Sequence, residues 1–95
     1  MKKVVIFGTS IFAEMAHFYI THDTPHQIVA FTVHEKFADK KKFLGLPVVP
    51  FEAIEKKYPP EKFVMFIAVG YQKMNKPRAK IFHEAKNKGY RLFSK

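Results

Sequence analysis

The chain has no cysteine and no tryptophan, only four glycines, and eight acidic residues against seventeen lysines and arginines in 95 positions. Without cysteine there is neither a disulfide framework nor a thiolate metal site, which suits a reducing cytoplasm, where the protein is expected. The histidines are scattered. His22 and His26 are four apart, but Pro25 breaks any helix that would align them, so no metal is expected. No apolar run approaches the roughly 20 residues that span a bilayer, and the stretch after Met1-Lys2-Lys3 is too short for a signal sequence. A soluble protein with no membrane partner is expected. Linkers, repeats and low-complexity tracts are also missing, which leaves residues 1–95 as one domain.

Catalytic patterns are missing too. Ser10 sits after a strand, but its surroundings are not G-x-S-x-G, and no acid-histidine pair serves it. Paired acids at the end of the first strand, as a receiver domain requires, are replaced by Phe7-Gly8. The residues offer binding chemistry and no catalytic residue. The formal charge of +9, with lysines at 40–42 and from Lys73 to Lys95, could face a polyanion. Helix-turn-helix, zinc-finger and RNA-binding aromatic patterns are lacking. A solvated basic face, or a site for a small phosphorylated ligand, accounts for the charge equally well.

What is present is apolar: 47% of residues are hydrophobic and 16% aromatic, enough to bury a core. Val4-Val5-Ile6-Phe7 runs into Gly8-Thr9-Ser10 and then an amphipathic pattern, which reads as buried strand, tight turn and helix N-terminus. Free N–H groups and the helix dipole at such a joint attract an anion. Gly8 would let a ligand approach where a Cβ would block it, and Ser10 can cap the helix. A dinucleotide fingerprint asks for three glycines; Ser10 and Ala13 stand at the second and third. An ordinary strand-to-helix turn with a capping serine is the competing explanation.

Phe12, Met15, Ala16 and Tyr19 have the spacing of a helix stripe lying on a sheet, ending near Thr21-His22 before Asp23-Thr24-Pro25. Residues 27–33 read as a second strand buried on both faces. Residues 34–42 read as a surface loop or a loose helical turn. A short third strand in 43–50 is pushed to a sheet edge by its prolines. A short helix over Phe51–Tyr58 ends at Pro59-Pro60, and residues 63–69 form a central fourth strand. The last helix starts between Asn75 and Pro77, with Arg78, Ile81, Phe82 and Ala85 on or near one face and Gly89 as its C-cap. Residues 90–94 make a fifth strand.

This alternation predicts an α/β fold: a small Rossmann-like three-layer domain with a parallel sheet of four to five strands in the order 3-2-1-4-5. The first helix covers one face and the other two cover the opposite one. If so, apolar area is left for another domain or a second copy to cover. Ligands bind beyond the carboxyl ends of such strands where chain direction reverses, here between the first and fourth strands. The candidate site residues are therefore Gly8, Thr9 and Ser10, then His34 and Glu35 after strand two, and Val69, Gly70 and Tyr71 after strand four. Asn75 and Arg78 can reach back from the last helix, Arg78 with a guanidinium suited to a phosphate. Each of these polar side chains has an alternative as a solvated surface group.

With Gly8-Thr9-Ser10, Ala30-Phe31-Thr32-Val33, Phe43-Leu44-Gly45-Leu46-Pro47-Val48-Val49-Pro50 and Ile67-Ala68-Val69-Gly70-Tyr71-Gln72-Lys73-Met74-Asn75, the sequence resembles the N-terminal domain of bacterial sugar acyltransferases of the PglD/NeuD type. The resemblance runs over essentially all 95 residues. It implies a module that holds a nucleotide sugar, typically a UDP-amino sugar. Gly8-Thr9-Ser10 would cradle the phosphates, and Val69-Gly70-Tyr71 with Asn75 would border sugar and phosphates. Relatives often have an acid pair where Val33-His34-Glu35 stands, and a further glycine where Ile11 stands. In that family a following domain of hexapeptide repeats forms a left-handed β-helix and the trimer, binds acetyl-CoA and supplies the catalytic histidine. None of it lies within these residues, so the resemblance implies an isolated or truncated recognition domain with no cofactor of its own.

Two other readings remain open. One is a stand-alone binding or regulatory module for NAD or a mononucleotide. The other, ranked behind it, is a basic protein that binds nucleic acid.

Overall fold

The structure is a computed structural model that describes residues 2–9, 11–35, 41–68 and 76–92, with the backbone alone for 76–79. Four-residue apolar runs become strands because their backbone groups can be satisfied only by neighbouring strands once both faces are covered. β1 (Lys3–Phe7) pairs in parallel with β2 (Gln27–Val33) on one side and β5 (Val64–Ile67) on the other. β2 continues to β4 (Leu46–Pro50), and β5 to β6 (Arg91–Leu92), both parallel. β3 (Lys42–Phe43) adds to β4 in antiparallel sense, giving the order β3-β4-β2-β1-β5-β6. The five parallel strands take the expected order. The correction is β3, a sixth strand, whose Lys42 reads from the sequence as loop and whose Phe43 reads as part of one strand with residues 44–50.

Two adjacent positive φ angles make that hairpin. Leu44 at 53° and Gly45 at 81° form the two-residue turn whose twist matches antiparallel strands. The apolar 43–50 run therefore folds back on itself, and β4 is covered on its outer side rather than being the edge.

Three helices complete the layers: α1 (Ile11–Asp23), α2 (Ile54–Lys57), which follows a 3₁₀ turn at Phe51–Ala53, and α3 (Lys76–Asn87). The alternation of β1 decides which residue meets which layer. Val4 and Ile6 face α1 through Ala13, Ala16 and Ile20. Val5 and Phe7 face the opposite side, among Phe51, Ile54, Ile81 and Ala85. The register between β1 and β2 jumps by one residue after Val4, so Ile28 and Phe31, three apart, both reach the α1 side.

The buried stripe of α1 differs from the expected one. Ala13, Ala16 and Ile20 are buried, whereas Phe12 is 41% and Met15 60% exposed. The helix is apolar around most of its circumference, so spacing does not choose a face. Packing does, because two alanines let the helix sit close on the strands. Among the described residues, no helix is long and apolar enough to cross a membrane.

The end of α3 is closed as expected. Gly89, at φ 100°, donates its N–H to Lys86 O at 2.9 Å, and Tyr90 donates to Ala85 O at 3.1 Å. This is the paired-bond C-terminal cap, with Tyr90 and Ala85 packed in the same cluster. Burial pushes the Tyr90 phenol up to about 12, with the Glu55 carboxylate adding to the effect, and its hydroxyl donates to Tyr58 O. A Gly89→Ala substitution meets no steric block, since an added Cβ lies 3.5 Å from Pro60. It carries the left-handed penalty alone. Thermal unfolding should therefore show a loss of about 1 kcal/mol, or roughly 4–8 °C in Tm for a chain of this size.

Candidate functional site

The carboxyl ends of β1, β2 and β5 meet at one end of the sheet. β1 leads to α1 and β2 on one side, and the chain later returns by β5 on the other, so the reversal lies between β1 and β5 as expected. Two hydrogen bonds continue the ladder past the strands there. Gly8 N donates to Thr32 O at 2.8 Å, and Ala68 N donates to Phe7 O at 2.9 Å. The exits of three strands are thus tied together.

That tie explains Gly8. Its φ of 126° is one that side chains rarely adopt, and an added Cβ would lie 2.8 Å from the carbonyl oxygen of Ala68 and 3.8 Å from Ala13 Cβ. The space left by the absent side chain is taken by the neighbouring strand's exit. The glycine is required by chain packing, whatever binds beyond it. Gly8 is buried and Thr9 half-buried, and α1 starts at Ile11 with Glu14 in its first turn. Thirteen residues of aligned peptide dipoles lie behind that N-terminus.

His34 and Glu35 follow β2 as expected, and His34 is held from three directions. Its ring meets Phe7 and Phe51 edge-on, with centroids 5.4 and 5.3 Å away. Its Nε2 lies 3.0 Å from Glu84 Oε1 on α3. A carboxylate can only accept, so Nε2 carries the donated proton. Glu35 is exposed, and its backbone N–H donates to Glu52 Oε1 at 2.9 Å. Burial raises the Glu52 carboxyl, but the backbone N–H groups of Glu35 and Glu52, with His34 and Lys88, outweigh that and hold it below the usual range. The β2 exit is therefore pinned to both helices of that face. Sequence spacing could not show this, because Glu52 and Glu84 are 17 and 50 residues from their partners.

A second clamp lies beside the first. Lys88 Nζ donates to Glu55 Oε1 at 2.9 Å and Oε2 at 3.2 Å, and sits 5.1 Å from the centroid of Phe51. The ammonium holds the Glu55 carboxyl below its ordinary value against a smaller effect of burial. Thr32, the one buried polar side chain among the described residues, donates its hydroxyl to Val49 O at 2.6 Å and so spends itself on the sheet.

Of the remaining expected residues, Ser10, Val69, Gly70, Tyr71 and Asn75 lie outside the described residues. Arg78 is in the first turn of α3, as expected, and its side chain also lies outside them. The structure thus brings Gly8, Thr9, His34 and the α1 N-terminus to one end of the sheet, and places the start of α3 after β5. Among the described residues, no group of three or more His, Cys, Asp or Glu could hold a metal ion. A hollow of about 650 Å³ lies at the opposite, amino-terminal end of the strands, lined by Lys2, Lys3, Lys62 and Arg91 with Glu61 and Phe63.

No family model and no curated sequence matches the chain. Solved structures do. UDP-D-quinovosamine 4-dehydrogenase from Vibrio fischeri is similar with a TM-score of 0.80 over 96% of this chain and 75% of that one, at 14% identity. Methyltransferase FkbM from Methylobacillus flagellatus KT is similar with a TM-score of 0.70 over 97% of this chain and 24% of that one, at 18% identity. Likeness at these identities shows the Rossmann-like α/β fold.

The Lys88 clamp has a defined pH signature. Because the folded Glu55 carboxyl titrates below its ordinary value of 4.5, the pair's contribution is complete above about that pH and is lost as pH falls through the folded value. Lys88→Met should be less stable than the parent at pH 7, and the gap in chemical-denaturation midpoints should close as pH falls below about 4.5.

Proposed function

We propose that the chain is a nucleotide-sugar recognition module of a sugar acyltransferase, binding a UDP-amino sugar at the carboxyl ends of β1, β2 and β5. The observation that carries this reading is the convergence of a glycine turn and the N-terminus of α1 at the point where strand order reverses, the place where open α/β sheets hold phosphates. Two supports stand beside it. A neighbour with a TM-score of 0.80 is by its description an enzyme of a UDP-sugar. The resemblance to PglD/NeuD-type acyltransferases, which includes the same glycine turn, points to the same ligand class.

In this reading the Gly8-Thr9-Ser10 turn cradles the pyrophosphate through backbone N–H groups beyond Gly8, whose own N–H is spent on Thr32 O, and Arg78 supplies the countercharge from α3. Glu35, at the β2 exit, accepts from ribose hydroxyls, where dinucleotide-binding folds place an acid. His34 positions that exit through Glu84 and the Phe7–Phe51 rings. Val69, Gly70, Tyr71 and Asn75 border the sugar. Acyl transfer would need acetyl-CoA and a catalytic histidine supplied by a trimeric β-helix domain beyond these residues.

The nucleic-acid reading has one observation of its own, the hollow lined by four cations. Its binding would weaken with salt at a slope of several phosphates.

Calorimetric titration with a UDP-N-acetylamino sugar, UDP, NAD and a short single-stranded DNA separates the readings. Saturable binding of the two UDP compounds is expected, weakened about tenfold or more in Arg78→Ala, as loss of one charge-assisted bidentate contact implies. Glu35→Gln should discriminate against the ribose while leaving the fold intact, because its side chain is exposed and its structural bond is made by backbone. Binding of NAD or DNA in place of the UDP compounds would move the assignment to the corresponding alternative.

A further inference from the structure

The outward face of α1 carries an apolar stripe from Ile11 to Phe18, flanked by Glu14 and ended by His22. Ile11 is 63%, Met15 60% and Phe18 64% exposed, at spacings of four and three that put them on one stripe, with Phe12 beside them. Leu44, at the tip of the β3–β4 hairpin and 43% exposed, joins Met15, Phe18, Glu14 and His17 around a hollow of about 590 Å³. These five apolar side chains together expose on the order of 600 Å², the upper end of what one patch on a monomer shows.

Leu44 carries a second signal. A φ of 53° at this turn position suits asparagine, aspartate or glycine, and a leucine there is strained by about 1 kcal/mol or more. It buries no core in exchange. The strain is understandable if the leucine is needed for contact at the tip.

Charge narrows the choice of occupant. All seventeen lysines and arginines lie outside residues 4–35, so α1 has none, in a chain of net charge +9. An anionic membrane surface or a nucleic acid needs cations along such a helix; α1 itself offers Glu14, and among the described residues the cations nearby are confined to Lys41 and Lys42 of the hairpin. A second copy of this strongly basic chain would be repelled almost anywhere else, but not here. The rim is also complementary to itself: Glu14 on the helix can meet Lys41 and Lys42 of a copy's hairpin. Two such patches bury roughly 1,200 Å² in total, the lower bound for a specific interface.

We propose that this face is a homodimer interface in which α1 of one copy packs antiparallel on α1 of another about a two-fold axis between Met15 and Phe18, each Leu44 closing over the partner's helix. An isologous contact of this kind sets Met15 against the partner's Phe18, a sulfur–aromatic pairing, on both sides of the axis. The proposal does not depend on the nucleotide-sugar reading, and its test uses no ligand.

Sedimentation velocity of the chain from about 5 to 500 µM should show a concentration-dependent dimer. Met15→Glu should weaken association about tenfold or more with an unchanged circular dichroism spectrum, since the side chain is outside the core. Leu44→Asn is the discriminating variant: it should unfold at a higher temperature than the parent, because asparagine tolerates the left-handed turn, yet associate more weakly. A monomer at every concentration would overturn the proposal, as would a dimer indifferent to both substitutions. So would binding to anionic vesicles in place of self-association.

Discussion

β1 has no free side. Its neighbours β2 and β5 take its hydrogen bonds left and right, and Val4, Val5 and Ile6 are fully buried between α1 on one face and the α2–α3 layer on the other. A strand in that position can leave the sheet only at its ends. At its carboxyl end the ladder continues through Gly8 to Thr32 and through Ala68 to Phe7, which leaves no room for a side chain at residue 8. The strand exits are close because the backbone is shared among them. That closeness creates the ligand end of the sheet and also accounts for the glycine that marks it.

The face opposite α1 shows how such an end is stiffened. His34 and Glu35 leave β2 and are immediately bound to Glu84 and Glu52, while Lys88, over the Phe51 ring, binds Glu55. None of these groups lies in the apolar core, and each of the carboxylates is at least partly solvated. Individually such contacts contribute little in water. Their effect is positional: they link the β2 exit, the 3₁₀ turn before α2, α2 and the end of α3. Among the described residues, Lys88 is spent on this side, and Lys2, Lys3, Lys62 and Arg91 gather at the strand bottoms. α1 keeps a surface without them, and the molecule has two chemically different faces.

Much of this was legible in the residues. Residues 27–33 form a strand over the span their apolar character indicated, and Asn75 to Pro77 bracket the true start of α3 at Lys76. Gly89 closes α3 because glycine is cheap at positive φ. The hairpin at Leu44-Gly45 was not legible, because leucine is the wrong residue for its conformation and the run around it is continuously apolar. Nor were the partners of His34 and Lys88, which depend on separations of 50 and 33 residues. Periodicity reports a neighbour along a helix or strand, and nothing about a neighbour across the fold.

The sequence by itself determined the kind and order of the elements, and with them the sheet order. Short apolar runs without polar interruption must be buried strands, turn residues must separate them, and right-handed crossovers allow few ways to arrange the result. Tertiary structure alone decided the orientation of α1. Phe12-Met15-Tyr19 and Ala13-Ala16-Ile20 are both apolar stripes, and hydrophobicity favours the bulkier one. The smaller one is buried because close approach of helix to strand, next to a glycine already pressed against its neighbour, rewards small side chains over large ones. Phe12, Met15 and Phe18 were left outside, Tyr19 packs half-buried at the edge of the contact, and the surface the exposed ones make is a consequence of packing rather than of composition.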